Sequence, residues 1–367
     1  MKIDILCPRN PFKSSAGIEN IVQNVSASLH KAGHDIRIIT TDITTHSFQQ
    51  NGIQVHCFKT FYGCDAFYFS PWVYEEMKKS DADFVHCFGY NNLVTPAGLL
   101  CKKKRQKLVV SLCSSGSSSF FRKLLWIPYT AFFFLFKKRV DLFTGLSEFE
   151  ANYFKKLLNV PASRMSVIPS GVDLERVRSV PNPKKKKGLI ISAGRLVKNK
   201  GFDRIIKALP WVLKQKHSAS LTILGTGEEK TNLEKLAQAL GIEKNVLLAG
   251  QIGLNDRDLY YKRLKEAEVF VFLSDYESQG IVVSEAIACG LPVIVSNNSG
   301  FKDFVKRKEA IGLDDPTDPE RVAKTIIRVL DNPEKFRPTN KFVLDWKAVG
   351  EKILQAYQNI YPSKVKT

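Results

Sequence analysis

The chain has 367 residues, a formal net charge of +19 and a hydrophobic fraction of 44%. That length allows about two domains with separate cores, and the composition excludes a disordered or collagen-like chain. The positive balance favours an anionic partner but does not choose among nucleic acid, anionic lipid and a phosphorylated substrate. The seven cysteines include no Cys-x-x-Cys pair, and Cys7, Cys57 and Cys87 sit in apolar runs. They read as reduced thiols of a cytosolic protein, not as a disulfide frame or zinc site.

From the first residue, short apolar runs alternate with longer amphipathic stretches. Residues 2–7 read as a strand ending in a loop, without the apolar stretch of a signal peptide. Further runs fall at 35–40, 84–88, 108–113 and 142–146, then at 189–193, 220–224, 246–249, 269–273 and 292–296. Their near-continuous apolar character is that of parallel strands covered on both faces. Between them, stretches such as 203–213 and 230–240 have helical length and period. This alternation predicts two Rossmann-like doubly wound α/β domains. Domain bounds are expected at 1–175 and 184–345, with Pro181-Asn-Pro-Lys-Lys-Lys-Lys187 as a polar linker. A final amphipathic helix is expected within 346–367.

Chemistry is carried by loops that follow strands. The segment Glu277-Ser-Gln-Gly-Ile-Val-Val-Ser-Glu285 follows the strand at 269–273. It presents Glu277, Ser278, Gln279, Gly280 and Ile281 at a strand's carboxyl end, where open α/β sheets bind ligands. Gly280 permits close approach, the helix that follows offers free N–H donors to a diphosphate, and Glu285 can accept from paired ribose hydroxyls. Gly194 lets the chain turn after the strand at 189–193, and Arg195 and Lys200 then supply two cations for a departing nucleoside diphosphate. Gly17, after the first strand, could face phosphate through backbone N–H groups. Gly250 and Ile252 could border a nucleobase, although turn duty explains them as well. No clustered metal ligands are read, so no divalent metal or other cofactor is expected. P-loop and nucleophile-elbow patterns are absent.

Residues 101–140 hold ten Lys or Arg and no Asp or Glu. Lys102, Lys103, Lys104 and Arg105 precede, and Lys137 and Arg139 follow, an apolar run that contains Trp126 and Phe133. The run is too short to span a bilayer, which takes about 20 residues. Aromatic residues between basic flanks suit a membrane interface. A core helix with solvated ends is the plain alternative. No nucleic-acid-binding module accompanies the charge.

Taken together, Ala16-Gly-Ile-Glu19, Ser147-Glu-Phe-Glu150, Ile168-Pro-Ser-Gly-Val-Asp173, Gly194-Arg195 with Lys200-Gly201, Leu224-Gly-Thr-Gly227, Glu277 through Glu285, and Ala288-Cys-Gly-Leu-Pro292 resemble the retaining glycosyltransferases of family 4, whose two Rossmann-like domains face a central cleft in the GT-B fold. The resemblance implies that Arg195 and Lys200 hold the donor diphosphate. Glu277 would contact the transferred sugar, Glu285 the ribose, and Gly17 the donor phosphates. The first domain would bind the acceptor, and the last helix would cross back onto it. The nucleotide sugar, UDP- or GDP-linked, would be a substrate. A histidine usual in the family is replaced by Cys113, followed by Ser114, a change that would reduce activity unless Ser114 or backbone N–H groups serve. The expectation is a cytoplasmic, peripherally membrane-associated hexosyltransferase with a lipid-linked acceptor. A soluble glycosyltransferase with an anionic saccharide or protein acceptor, and a non-catalytic nucleotide-sugar-binding or scaffold subunit, stay open.

Overall fold

The computed structural model describes residues 1–13, 17–64, 67–114, 120–253 and 256–361. The chain divides into two compact units, Met1–Gly171 with Leu344–Thr367, and Val172–Val343.

The first unit runs β1 (Lys2–Leu6), α1 (Gly17–Lys31), β2 (Asp35–Asp42), β3 (His46–Gln50), β4 (Ile53–Lys59), β5 (Tyr62–Cys64), β6 (Phe67–Phe69), α2 (Pro71–Lys79), β7 (Phe84–Phe88), α3 (Thr95–Cys101), β8 (Lys107–Ser111), α4 (Phe120–Phe136), β9 (Leu142–Gly145), α5 (Glu148–Leu157) and β10 (Met165–Val167). Its main sheet has the order β10-β9-β8-β7-β1-β2-β4-β3. All neighbours are parallel except β3, which returns antiparallel to β4. The turn between them is Asn51-Gly52, with φ of 51° and 82°, the pair of left-handed residues that a tight hairpin demands.

The second unit begins with α6 (Leu174–Ser179) and continues β11 (Leu189–Ala193), α7 (Phe202–Leu213), β12 (Ser220–Leu224), α8 (Lys230–Ala239), β13 (Val246–Leu248), α9 (Arg257–Glu266), β14 (Val269–Phe272), α10 (Ile281–Ala288), β15 (Val293–Ser296), α11 (Phe301–Lys306), β16 (Ile311–Leu313) and α12 (Pro319–Asp331). The sheet order is β13-β12-β11-β14-β15-β16, all parallel. Every residue of β11, β14 and β15 is buried, as strands covered by helices on both faces require. The stretch read as a linker belongs to this unit. Lys185 Nζ donates to Ala267 O at 2.6 Å, and Lys186 pairs with Glu266 at 2.8 Å.

The last helix, α13 (Trp346–Ile360), is capped by Asp345, whose carboxylate accepts from Ala348 N at 2.7 Å. It returns to the first unit, where Gly350 lies against Ser28 of α1. Tyr357 stacks on Phe84 at 4.3 Å between ring centroids, and its hydroxyl hydrogen-bonds His86 Nδ1 at 2.7 Å. His86 Nε2 meets Ser111 Oγ at 2.8 Å, which meets Thr144 at 2.7 Å. Burial pushes the His86 pKa down to about 3, so the imidazole is neutral and serves as one donor and one acceptor.

Candidate active site

In the second sheet the direction of winding reverses between β11 and β14. The loops after these two strands therefore lie at the sheet's switch point, at the carboxyl ends where such sheets bind ligands. Those loops are the ones that carry Arg195 and Lys200, and Glu277. They are tied together by backbone and side-chain hydrogen bonds. Asn199 O accepts from Asp275 N at 2.8 Å and Ser274 Oγ at 3.0 Å, and Arg204 donates to Leu273 O at 2.9 Å and Asp275 Oδ1 at 2.5 Å. Lys200 Nζ forms an ion pair with Glu277 Oε1 and sits 5.8 Å from the centre of the Phe272 ring. Both side chains of the pair are about 15% exposed. Arg195 is exposed.

Glu277 is held by its backbone. Its N–H donates to Ser299 Oγ at 3.0 Å, and its carbonyl accepts from Gly300 N at 2.9 Å. Gly280, at φ 91°, starts α10, and a Cβ there would lie 2.6 Å from the Phe301 ring. The chain can therefore pass from Ser278 into the helix only through a glycine. Gln279 is buried and donates to Ser284 Oγ at 3.2 Å, while Ser278 and Ile281 are half-buried. Gly194 N donates to Leu224 O at 2.9 Å, and Gly225 N donates to Gly250 O at 2.8 Å. Gly250 thus lies beyond β12 on the β13 side, and Ile252 packs against the core.

Glu285 lies one turn into α10 and is buried. One carboxylate oxygen pairs with Arg257 Nη2, and the other accepts from Tyr260 Oη at 2.8 Å. Neither Arg257 nor Tyr260 stands out in the sequence, where α9 reads as a charged surface helix. The one available signal is the aromatic pair Tyr260-Tyr261 on the face that turns inward.

In the first unit, Gly17 opens α1 and is exposed; Ser15 and Ala16 lie outside the described residues. Glu19 of α1 is buried and pairs with Arg9 at 2.6 Å, with its Oε2 unpartnered. Cys113 follows β8 at φ 49°, a left-handed conformation unusual for a non-glycine. Burial first, then the Glu150 carboxylate, hold its thiol well above the usual range. It stays a neutral thiol. Ser114 N donates to Glu150 Oε1, and Glu150 Oε2 accepts from Leu146 N at 2.6 Å. The Ser147-Glu-Phe-Glu150 motif is thus a helix start, with Ser147 Oγ accepting from Glu150 N at 3.1 Å, whose acid anchors the loop that carries Ser114.

Residues 15–176 match the model described as Glycosyltransferase Family 4, and residues 173–341 match that described as Glycosyl transferases group 1. The chain belongs to the family 4 glycosyltransferases. It is 25% identical, over 359 residues and 90% of each chain, to an uncharacterized glycosyltransferase of Methanocaldococcus jannaschii. It is 28% identical over 245 residues to the GDP-mannose-dependent monoacylated alpha-(1-6)-phosphatidylinositol monomannoside mannosyltransferase of Corynebacterium glutamicum, covering 60% of this chain and 62% of that one. Among solved structures, sucrose-phosphate synthase from Thermosynechococcus elongatus matches with a TM-score of 0.80 and 18% identity, over 99% of this chain and 100% of that one. Anabaena HepE, in complex with UDP and glucose, matches at 0.75 and 17%, over 98% and 99%. These structural likenesses show the two-unit Rossmann-like fold, GT-B.

In this family 4 glycosyltransferase the segment read as membrane-facing divides in two. Phe133 does not face outward. It is fully buried, packed on Tyr90 at 4.6 Å and Tyr129 at 5.2 Å between ring centroids, because the faces of an apolar helix are told apart only by what they pack on. The outward face of α4 carries Leu124, Ile127, Phe134 and Leu135 instead. Lys102 is likewise turned in, pairing with Asp141 at 2.5 Å. Lys103 Nζ donates to Ser80 O at 2.6 Å, and Lys137 Nζ to Leu158 O at 2.6 Å. Arg105 donates to Asp81 O at 3.5 Å, and Arg139 to Lys102 O at 2.8 Å; these two and Lys104 are exposed, and Trp126 is half-buried. No helix among the described residues is long and apolar enough to cross a membrane.

The glycosyltransferase also holds two Asp-x-Asp spacings that sequence reading passed over, Asp81-Ala-Asp83 and Asp256-Arg-Asp258. Lys2 engages both acids of the first, and Arg176 pairs with Asp258 at 2.6 Å. Among the described residues, Asp42, His46 and Cys57 bring potential metal-ligand atoms within 4.8 Å of one another. There the Asp42 carboxylate already receives Lys13 at 2.9 Å and Asn10 at 2.9 Å, so a cation's place is taken.

Proposed function

We propose that this glycosyltransferase moves a hexose from a nucleotide sugar, bound by the second unit, to a lipid-linked acceptor bound by the first, at a membrane surface and without a metal. The observation that carries the reading is the ion pair of Lys200 with Glu277 at the β11/β14 switch point, beside the start of α10. In the bound state Lys200 and Arg195 would neutralise the diphosphate, and the N–H groups at the start of α10 would add hydrogen bonds. Glu277, released from Lys200, would accept from a sugar hydroxyl. Glu285 would take the ribose. Developing charge on the leaving diphosphate would meet fixed cations, the largest source of rate in a site of this kind. The anomeric configuration would be retained, with a donor phosphate oxygen accepting the acceptor's proton.

The nucleotide reading draws support from relatives: HepE is known in complex with UDP and with UDP-glucose, and the corynebacterial enzyme is GDP-mannose-dependent. The lipid reading draws support from the monoacylated phosphatidylinositol monomannoside in that enzyme's name and from alpha-monoglucosyldiacylglycerol synthase of Streptococcus pneumoniae, 28% identical over 155 residues, 39% of this chain and 34% of that one. The outward apolar face of α4, flanked by exposed Lys138 and Arg139, is what the chain itself adds. An interface helix buries such a face among lipid headgroups. The reduced thiols fit the cytoplasmic leaflet. A second reading, donor binding without transfer, rests on the neutral Cys113.

The test is transfer of labelled hexose from UDP- and GDP-linked donors to glycolipid or polyprenyl-linked acceptors in vesicles, with a chelator present. Turnover with the product anomer unchanged is expected. No transfer from any donor refutes the reading, and an inverted product refutes its mechanism.

A further inference from the structure

Glu285 is assigned the donor ribose in the reading above, yet both of its oxygens are already engaged. Arg257 Nη2 pairs with Oε1, and Tyr260 Oη donates to Oε2 at 2.8 Å. A carboxylate offers about two acceptor positions on each oxygen. Arg257 uses one on Oε1 and Tyr260 one on Oε2. One position remains on each oxygen, which is what a two-point contact with the vicinal 2′- and 3′-hydroxyls of a ribose needs.

The guanidinium itself is locked. It lies over the Tyr260 ring at 4.4 Å and over the Tyr261 ring at 4.9 Å, and Nη2 also donates to Tyr261 Oη at 3.0 Å. Both tyrosines are buried, while the Arg257 side chain keeps 25% of its surface. Burial works against the Arg257 charge, and the Glu285 carboxylate outweighs it, so its pKa is raised overall. The Tyr260 hydroxyl, first by burial and then beside Glu285, is held well above the usual phenol range and stays a donor.

We propose that Arg257 and Tyr260 are positioning residues for the donor ribose: they fix the Glu285 carboxylate in one rotamer and leave its remaining lone pairs to the 2′- and 3′-hydroxyls. The proposal rests on Glu285 being the ribose contact. A free glutamate would have to be ordered when the donor arrives, and a clamped one has been ordered in advance. Loss of the clamp therefore weakens donor binding through the ribose alone. The effect falls on the donor KM and leaves kcat nearly unchanged.

Calorimetric titration of wild type, Arg257→Ala and Tyr260→Phe with UDP, GDP and their 2′-deoxy counterparts tests this. Wild type should bind the better ribonucleotide about tenfold or more tightly than its 2′-deoxy form, the worth of one good hydrogen bond to a charged group. In Arg257→Ala that ratio should fall to near one, with the 2′-deoxy affinity within about twofold of wild type. Tyr260→Phe keeps the ring and the fold, guards against loss of structure in the first variant, and should lower the ratio severalfold. If the ratio keeps its wild-type value while both affinities drop together, the residues only support the fold and the proposal fails. If Arg257→Ala binds the ribonucleotide more tightly, the guanidinium is a competitor for Glu285 and the proposal again fails. If wild type itself binds a nucleotide but does not distinguish ribose from deoxyribose, the assignment of Glu285 fails, and the clamp with it.

Discussion

Gly201 and Gly241 have nearly the same backbone, at φ of 68° and 67°, in different surroundings. A Cβ at Gly201 would lie 2.1 Å from the carbonyl oxygen of Leu273, whereas one at Gly241 meets nothing within 4 Å. Alanine in the left-handed region costs about 1–2 kcal/mol at either site. At Gly201 overpacking against backbone adds about 1–3 kcal/mol. For a unit of this size each kcal/mol is worth roughly 2–4 °C. Gly241→Ala should therefore lower the melting point of the second unit by roughly 2–8 °C, and Gly201→Ala by roughly 2–12 °C more. The clash is with the backbone at the end of β14, so moving Gly201 away from it draws Lys200 away from Glu277. Gly201→Ala should thus also weaken nucleoside diphosphate binding, and Gly241→Ala should not. Scanning calorimetry gives the first comparison and isothermal titration the second. Equal losses of melting temperature and unchanged affinity in both variants would refute the reasoning that backbone contact at Gly201 builds the site.

Lys200→Ala and Glu277→Gln should each cut hexose transfer about 10²–10³-fold, the loss expected for one fixed group at developing charge; in steady-state assays a change below tenfold would count against both roles. On α4, the double change Leu124→Glu with Ile127→Glu should abolish sedimentation with anionic vesicles while altering stability by about 0.5 kcal/mol or less. Phe133→Ala on the opposite face should cost about 3–5 kcal/mol of stability because it empties a core position; denaturant melts and vesicle pelleting separate the two. The His86 pKa is lowered to about 3 in the fold, against about 6.5 in an unfolded chain. As pH falls the unfolded chain takes up that proton first, so stability is full above about pH 6.5 and declines toward pH 3, by on the order of a few kcal/mol. The difference in stability between wild type and His86→Gln should shrink over that range, and a constant difference would show that folding does not lower the His86 pKa.

The strands were legible where they are buried on both faces: the runs at 189–193 and 269–273 coincide with β11 and β14 to within a residue. Their neighbours were not. Nothing in either run says that β14, not β13, lies beside β11, and that adjacency makes the switch point. The hairpin of β3 and β4 was missed although Asn51-Gly52 announces it, because β4 alternates buried and exposed residues and lacks the continuous apolar signal of its parallel neighbours. Lys200, Glu277 and Glu285 could be named because each follows a strand in a motif with glycine. Arg257 could not, since it lies 28 residues before Glu285, in a helix whose charges read as solvated. Phe133 was assigned outward because a run of uniform hydrophobicity carries no phase. Packing against Tyr90, outside the helix, decided its face.

In the proposed function the second unit binds a nucleotide sugar through Lys200 and Glu277 without a metal. Thermal melting in a chelator, with a panel of UDP- and GDP-hexoses, tests it most directly. At about 100 times its Kd a bound donor stabilises by about 2.7 kcal/mol. A saturable rise in melting temperature is expected with at least one donor, much reduced in Lys200→Ala and Glu277→Gln. No shift with any donor at millimolar concentration, or an undiminished shift in both variants, would contradict it.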